Sequence, residues 1–554
     1  MSWRTIKRKV VGMATETEKI FSEFKEHSVA EFFKKNKQML GFSGKTRSLT
    51  TIVHEYVTNS LDAAEEGRIL PDISVKIDEL DKERYKVIVQ DNGPGIPKKH
   101  LGKALGMMLA GTKFHRYVQQ RGQQGIGATG CTMYAQITTG KPVKAVSGCD
   151  GKVVKCDISV DLKTNRPLIQ NETEENGDFR GLIIEAEVAD VKYDKSSYGV
   201  YEYLKRTALA NPHAQITLIE PTGERAVFPR AVDAIPEKPQ PVQPHPLGIS
   251  TNDLVDFSHH DTESRKLSSF LQNTFARVSA QKVKELAEAV PEVDFDKAPK
   301  DLQWHEAELI VKGFEKVKWI APATDSIKPI GRDQITKSLR NILNPEFLAV
   351  TERSPKIYKG GVPFVVEAAL AYGGSAGRKT GDRTEPDIMR FANRAPLLFD
   401  SSGCGITEAI KGVDWKRYNI RNFDESPITV FVNFVSVHVP YTGAGKQAIS
   451  TEDEVMDEIK NAVMEAGRDL QRYLSGLTRD ADKKARKKAI LRYVPQLAAD
   501  MAELAEEGKK DDLEKRLMEM IETKYSSHIE GDESGDEEIR ENGNGKAEEG
   551  EEEE

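Results

Sequence analysis

Residues 236–246 read PEKPQPVQPHP, with five prolines in eleven positions. Proline fixes φ and carries no N–H, so neither a helix nor an internal strand runs through such a stretch. It reads instead as a stiff extended linker, and the chain on either side must bury its own core. Before it, residues 1–234 alternate between helix and strand patterns. A helical start at about 15–40 leads to an amphipathic helix at about 50–66. Alternating strands follow at Asp72–Glu79, with Ile73, Val75 and Ile77 on one face, and at Tyr85–Gln90. Two more are expected at Val154–Leu162 and Gly181–Val188. Strands with helices to one side predict an α/β sandwich with antiparallel pairs. After the linker come a small helical unit (about Gly248–Pro299), a second α/β block with a long strand pattern at Ile428–Val439, and a helical stretch from 471 to about 528. No internal repeat is visible.

Charge is distributed unevenly. The chain of 554 residues carries a formal charge of -8, yet residues 529–554 hold thirteen Asp/Glu against Arg540 and Lys546. That tail alone accounts for -11 and leaves a body of +3, so the total does not exclude a nucleic-acid partner. A like-charged block with no apolar partner is expected to stay disordered. No stretch approaches the roughly 20 apolar residues of a membrane span. The N-terminal MSWRTIKRKVVG is basic but has no apolar run, so it does not read as a signal peptide. Cys131, Cys149, Cys156 and Cys404 form no CxxC pair, which argues against zinc and against a disulfide framework. A soluble protein of a reducing compartment is expected.

The most informative segment is TIVHEYVTNSLDAAEE. On a helix, Glu55, Asn59 and Asp62 fall within about 60° of one another, while Val53, Val57, Leu61 and Ala64 take the other side. Strand Tyr85–Gln90 then runs into DNGPGIP, placing Asp91 at the strand end, where Gly93 and Gly95 allow close backbone approach. Next come GTKF (111–114) and RGQQGIGATG (121–130), a glycine-rich loop ahead of a helix. Exposed backbone N–H groups at a helix N-terminus make a cradle for anions, phosphate included. Gly125, Gly127 and Gly130 also match G-x-G-x-x-G, but no strand directly precedes them, so a dinucleotide fold is not supported.

This order of acidic–Asn helix, strand-end D-x-G-x-G and glycine-rich loop resembles the GHKL ATPases and their Bergerat nucleotide fold. The resemblance implies that Glu55 is the general base orienting the attacking water and that Asn59 ligates Mg2+. It implies that Asp91 accepts a hydrogen bond from the adenine amino group, with Gly95 packing near the base and Asp62 and Gly93 lining the nucleotide site. Gly122, Gln123, Gln124, Gly125, Ile126, Gly127, Ala128 and Thr129 would wrap the phosphates of ATP, with Thr112 and Lys113 in a lid. These parts suit phosphoryl transfer, which depends mostly on positioning and charge neutralisation. The chain departs from the family in one place: in RGLIIEAEV, Leu182 stands where the family commonly has a threonine supporting the adenine.

The later sequence narrows the family. After ITVFVNFVSVHVP the chain reads YTGAGKQAIS, where Pro440 and Gln447 break the G-x-x-x-x-G-K-[ST] pattern of a P-loop. Lys446 instead resembles the switch lysine that a transducer domain extends to the γ-phosphate. SVAEFFKKNKQMLGF (28–42), TALANPHAQITLIEP (207–221), APATDSIKPIG (321–331), RFANRAPLLFD (390–400) and VPYTGAGKQAIS (439–450) are together similar to the B subunits of type IIB DNA topoisomerases, the topoisomerase VI family. The resemblance implies an α/β multi-domain chain. It would comprise a GHKL ATPase domain with an N-terminal strap (1–234), a linker and helix–two-turn–helix domain (235–305) and a transducer domain (306–470). C-terminal helices (471–528) and a disordered acidic tail (529–554) would follow. It implies ATP-driven dimerisation with a second copy of the chain and a heterotetramer with two A subunits. One DNA duplex would pass through a double-strand break made by the A subunits, in the cytoplasm of a prokaryotic, archaeal cell and in association with the nucleoid. The D-x-D at Asp294–Asp296 lies beside a helix and not at a strand end, so the cleavage chemistry is expected on the partner. Expected DNA contacts are Arg378, Lys379 and Arg383 of GRKTGDR and the basic run Lys483–Lys488. Alternatives are a MutL-like repair clamp and a GHKL chaperone. No helix bearing a phospho-acceptor histidine precedes the motifs, which excludes a sensor kinase.

Overall fold

Residues 41–108, 117–122, 125–161, 164–443, 445–504 and 509–523 are described by a computed structural model. The expected N-terminal strap and acidic tail lie outside these residues. The first helix, α1 (Lys45–Glu66), starts about five positions earlier than its apolar periodicity suggests. Gly44 at φ 78° turns the chain into it, and its first turn is polar, so hydrophobic spacing gives no sign of that turn. The apolar side is as expected: Val53, Val57, Leu61 and Ala64 are buried. The helix ends at Gly67, beyond which Arg68 takes a left-handed φ of 56°.

Eight strands follow: β1 (Asp72–Asp81), β2 (Arg84–Asp91), β3 (Val143–Cys149), β4 (Lys152–Asp161), β5 (Arg166–Asn176), β6 (Gly181–Ala189), β7 (Gln215–Ile219) and β8 (Arg225–Phe228). They form one sheet in the order β5-β4-β3-β6-β2-β1-β7-β8. Every neighbouring pair is antiparallel except β1–β7. Helices α1, α2 (Lys98–Gly106), α3 (Gly127–Thr139) and α4 (Val200–Ala210) share its core, in which Ile52, Leu105, Met133 and Leu204 join Val75, Val87 and Ile184. This is the α/β sandwich that the pattern predicts. Strand β5 escaped the sequence reading because it is an edge strand, RPLIQNETEEN, exposed along most of its length. Edges are commonly charged in this way, which leaves no apolar alternation to detect.

Past the proline linker, α5 (Thr251–His260), α6 (Leu267–Thr274), α7 (Ala280–Ala289) and α8 (Trp304–Phe314) enclose a separate core. Ala307, Ile310 and Phe314 of α8 belong to it, with the Phe314 ring 6.2 Å from that of Phe275. The helical unit therefore runs past the expected boundary at 305, because the apolar face of α8 has its partners there.

The second sheet is built after α9 (Arg332–Leu343), from β9 (Phe347–Glu352), β10 (Lys356–Tyr358) and β11 (Val362–Tyr372). The segment GRKTGDR lies in a two-stranded hairpin, β12 (Arg378–Thr380) with β13 (Arg383–Glu385). Strands β14 (Asp387–Ala392) and β15 (Ala395–Pro396), helix α10 (Gly405–Lys411) and strand β16 (Ile428–Ser436) complete the block. The sheet order is β10-β11-β16-β14-β15, with β9 also on β11 and a parallel β14–β16 pair. Leu209 and Ala210, at the end of α4, share a core with Ile335, Leu339, Met389 and Phe431. Arg206 of α4 pairs with Asp387 at 2.7 Å, and the Ser338 hydroxyl donates to Leu209 O at 2.9 Å. The two α/β blocks thus share apolar, ionic and hydrogen-bonded contacts.

The described residues end with α11 (Asp453–Leu504), 52 residues long, and a helical segment at 510–523. The expected boundary at 470 falls inside α11, since the apolar series Val455, Ile459, Val463, Ala466 and Leu470 continues without a break into polar helix. Among the described residues two compact units result, one running to Lys416 together with Ile420–Gly467, the other formed by Arg417–Asn419 with the residues from Arg468 onward. Among the described residues, no helix is long and apolar enough to cross a membrane.

Candidate active site

A cavity of about 330 Å³ is bordered by α1, the end of β2, the start of α3 and the loop after β16. Of the residues singled out in the sequence, Glu55, Asn59, Asp91, Gly95, Gly122, Gly125, Ile126, Gly127, Ala128, Thr129 and Lys446 line it. Asp62 and Gly93 do not. Thr112, Lys113, Gln123 and Gln124 lie outside the described residues.

Asp91 forms the floor of one end. Its Oδ2 accepts from the Ser60 hydroxyl at 2.7 Å, and its Oδ1 accepts from Gly93 N at 2.9 Å and Leu182 N at 3.1 Å. Gly93 therefore shapes the site from behind, by holding the carboxylate. Burial pushes the Asp91 carboxyl above its ordinary value, and the three donors only partly offset this. Gly95 has φ 74°, and a Cβ there would stand 2.1 Å from Gly148 O, so only glycine fits between strand and cavity. Leu182, where a threonine was expected, contributes a backbone N–H to Asp91, and the buried hydroxyl beside that carboxylate comes from Ser60 on α1. Sequence reasoning missed Ser60, although its position one residue after Asn59 on the same helix was visible.

The other end is polar. Helix α3 opens at Gly127, and Gly130 N donates to Ile126 O at 2.7 Å, closing its first turn. The N–H groups ahead of it have no intrahelical acceptor and point toward the cavity end of the helix axis, where the dipole favours negative charge. A Cβ at Gly127 would lie 1.8 Å from Glu55 Oε2, so the Glu55 carboxylate sits directly against this turn. Burial lowers the pKa of the neighbouring His54, with Glu55 opposing the effect and Lys446 adding to it. Thr129 turns its hydroxyl away from the cavity, donating to Met107 O at 3.0 Å. Asn59 is exposed on the cavity wall.

Asp62 departs from the expectation. It is buried and pairs with Arg121 at 2.7 Å instead of facing the cavity. Arg121 also pairs with Glu65 at 2.6 Å and donates to Asn211 Oδ1 at 2.5 Å. Burial opposes ionisation of Glu65, but Arg121, His213 and Arg394 outweigh it and hold its carboxyl far below the usual range. The physical reason for the departure is thus a buried guanidinium that takes up both carboxylates at the end of α1. Arg121 could not be paired with them from spacing alone.

Lys446 comes from the second α/β block. Its Nζ approaches Arg121 O at 3.4 Å, and its backbone holds a left-handed φ of 52°. Strain of this kind in a non-glycine residue persists only where the surroundings fix it. They do so here through Gln447, whose Oε1 accepts from Phe399 N at 3.3 Å and whose carbonyl accepts from Arg390 at 3.5 Å. RFANRAPLLFD thus braces the lysine loop.

Comparison with known proteins agrees with this geometry. The family described as "Histidine kinase-, DNA gyrase B-, and HSP90-like ATPase" matches residues 44–165, and "Topoisomerase VI B subunit, transducer" matches residues 322–488. The B subunit of type 2 DNA topoisomerase 6 from Methanothermobacter thermautotrophicus is 47% identical over 504 residues, 90% of this chain and 96% of that protein. The chain belongs to the family of type 2 DNA topoisomerase 6 B subunits. Members from Pyrococcus abyssi (44% identical, covering 94% of this chain and 99% of the relative) and Pyrococcus horikoshii (43%, 92% and 97%) match over the same extent. As a topoisomerase 6 B subunit the chain is part of an ATP-dependent type II topoisomerase, and its GHKL block is a nucleotide-binding domain.

Proposed function

We propose that the cavity binds ATP with adenine at Asp91 and phosphates at the start of α3, and that hydrolysis there drives passage of one DNA duplex through another. The observation that carries this reading is the arrival of Lys446, from the transducer block, in the cavity wall beside Arg121 and the glycine-rich loop. Glu55 acts as general base on the attacking water. Its closeness to Gly127 in the first turn of α3 supports that role. Asp91 accepts from the adenine amino group, while Ser60, Gly93 and Leu182 keep its two oxygens in place. Lys446 neutralises charge developing on the transferred phosphoryl group and reports its presence to the transducer.

The donor set suits Mg2+. Among the described residues no cluster of three or more His, Cys, Asp or Glu forms a preformed metal cage. Mg2+ commonly needs only one or two protein oxygens and takes the rest from phosphates and water. Asn59, facing the cavity one helical turn from Glu55, is the protein ligand. When bound, Mg2+ supplies charge neutralisation at the phosphates.

Strand passage requires a second copy of this chain and two A subunits carrying the cleavage chemistry, in an assembly with two of each. Driving such a gate from 1:99 to 99:1 closed needs a differential nucleotide affinity of about 5.5 kcal/mol. The A subunits dock along α11, where Ile490, Tyr493, Leu497, Met501 and Leu504 are exposed at helical spacing. DNA phosphates meet Lys484, Lys487, Lys488 and Arg492, which line a shallow groove on the same helix. They also meet Lys379 and Arg383, exposed on the β12–β13 hairpin. Arg378 is set aside from that role, since it pairs with Asp387 at 3.0 Å. The archaeal relatives and the absence of a membrane-crossing helix among the described residues support a cytoplasmic, nucleoid-associated enzyme. Reconstitution with the A subunits tests the whole reading. ATP-dependent relaxation and decatenation are expected, and an assembly that relaxes DNA equally without ATP would overturn it.

A further inference from the structure

The three residues that lead into the glycine-rich loop are each held by groups outside it. The Gln119 carboxamide clasps the backbone of Lys328: Nε2 donates to Lys328 O at 2.8 Å, and Oε1 accepts from Lys328 N at 2.7 Å. Gln120 O accepts from Asn393 Nδ2 at 3.1 Å. Arg121 anchors the loop to α1 with its guanidinium, and its carbonyl accepts from Lys446. The next residue, Gly122, lines the cavity.

The transducer side of these contacts is built with equal care. Asn393 and Arg394 form the two-residue link between β14 and β15, both in the left-handed region at φ 48° and 67°. Type I′ turns require this of both central residues and usually use Asn or Gly, so the arginine is strained. Asn393 bridges the link to β16, donating to Ser436 O at 2.9 Å and accepting from Ser436 N at 3.0 Å. Arg394 N donates to Asn433 Oδ1 at 3.1 Å, and its guanidinium reaches Lys328 O and Pro329 O at 3.2 and 3.0 Å. Asn433 in turn donates to the fully buried Glu367 at 2.7 Å, whose other oxygen accepts from Gly331 N at 2.7 Å. Gln119, Arg121 and Asn393 are all buried. In a close-packed interface of this kind, a shift of the loop cannot be absorbed by solvent: it either carries the turn with it or breaks the bonds.

We propose that Gln119–Arg121 is a second coupling element, separate from Lys446, through which the phosphate loop positions the transducer, with Gln119 and Asn393 as positioning residues. Lys446 senses what occupies the cavity, whereas this clasp transmits where the loop stands. The two routes meet at Arg121, whose carbonyl takes the lysine while its neighbours grip β14–β15 and residue 328. The inference rests on the reading that the loop embraces phosphates. Wild-type hydrolysis and strand passage in the same assay test that reading first, so the two failures remain distinguishable.

The experiment uses the full chain in its complete assembly with the A subunits. Gln119→Leu keeps the bulk of the side chain and removes both hydrogen bonds. Asn393→Asp keeps shape, tolerance of positive φ and the acceptor for Ser436 N, but abolishes the donations from Nδ2 to Gln120 O and to Ser436 O. For each, affinity for a non-hydrolysable ATP analogue and the hydrolysis rate are expected to stay within about twofold of wild type, while strand passages per ATP fall by about fivefold or more. Gln119→Glu, which retains only the acceptor, is expected to resemble Gln119→Leu and decides the matter should either other variant fail to fold. A ratio of strand passages to ATP within twofold of wild type overturns the proposal. So does a loss of strand passage matched by an equal loss of hydrolysis, since a merely structural role would lower both together.

Discussion

Lys446 Nζ lies 3.4 Å from Arg121 O across 325 positions of sequence. The contact makes a transducer lysine part of the wall of the cavity, beside the glycine-rich loop. Lys446→Ala is expected to leave the fold and nucleotide affinity nearly intact. Hydrolysis by the assembled enzyme should fall by about tenfold or more, a loss of about 1.4 kcal/mol of transition-state stabilisation, with strand passage falling alongside. Phosphate release and relaxation assays measure both. Unchanged hydrolysis would remove the lysine from its role.

Glu55 requires a different pattern of loss. Removal of a general base typically costs about 10²–10⁴ in rate without removing binding groups. Glu55→Ala should therefore bind ATP, accumulate as a nucleotide-closed dimer visible by light scattering, and fail to turn over. Normal turnover, or a variant that stays monomeric with ATP, contradicts the assignment.

Gly127→Ala tests the same carboxylate from the other side. The added Cβ would fall 1.8 Å from Glu55 Oε2, so the carboxylate must swing away from the first turn of α3. The clash is with the far end of a flexible side chain, and alanine is the better helix former, so the fold should hold. Hydrolysis is expected to fall toward the level of Glu55→Ala while thermal stability holds. A fully active Gly127→Ala enzyme would show that Glu55 works from a different position.

Much of this site was legible because its parts are local. Glu55, Asn59 and the apolar face of α1 follow from helical spacing, and Asp91 from a strand that ends in glycines. What escaped the sequence depends on contacts between distant segments. Asp62 points correctly along its helix but ends on Arg121, which nothing in the spacing pairs with it. Asn393 and Arg394 look like an ordinary loop within RFANRAPLLFD, and only the β14–β15 link shows them in left-handed geometry against Gln120. Edge strand β5 and helix α8 were missed or misassigned for related reasons: β5 has no buried face to announce it, and α8 finds its apolar partners in the preceding unit.

Asp91 gives a pH dependence whose direction is fixed. Burial raises its carboxyl above the ordinary aspartate value of about 3.9, and only the ionised form is a pure acceptor for an adenine amino group. Nucleotide affinity should therefore be full near neutrality and fall as pH drops through a midpoint above that value. Calorimetric titration across the weakly acidic range measures it, with Asp91→Asn expected to bind weakly and without this dependence. A midpoint at or below the ordinary value would contradict the raised carboxyl.

The Glu65–Arg121–His213 cluster predicts a two-stage loss of stability in acid. His213 donates from Nε2 to Glu65 at 2.8 Å, and burial lowers its pKa below the ordinary histidine value. The neutral form is thus favoured in the fold, and stability is lost as pH falls below about 6.5, the unfolded-state value. For Glu65 the folded value is depressed, so its contribution is complete above about 4.3 and is lost as pH falls further toward the folded value. Urea midpoints across this range should show that His213→Gln flattens only the first stage. Glu65→Gln should destabilise at neutral pH, with the difference from wild type shrinking once the wild-type carboxyl begins to protonate. Arg121→Met should be the most damaging, by about 3–5 kcal/mol at neutral pH, because it leaves the Asp62 and Glu65 carboxylates buried without their shared cation. An Arg121→Met chain as stable as wild type at neutral pH would mean that the two carboxylates find water, and that the loop is not anchored to α1 through this guanidinium.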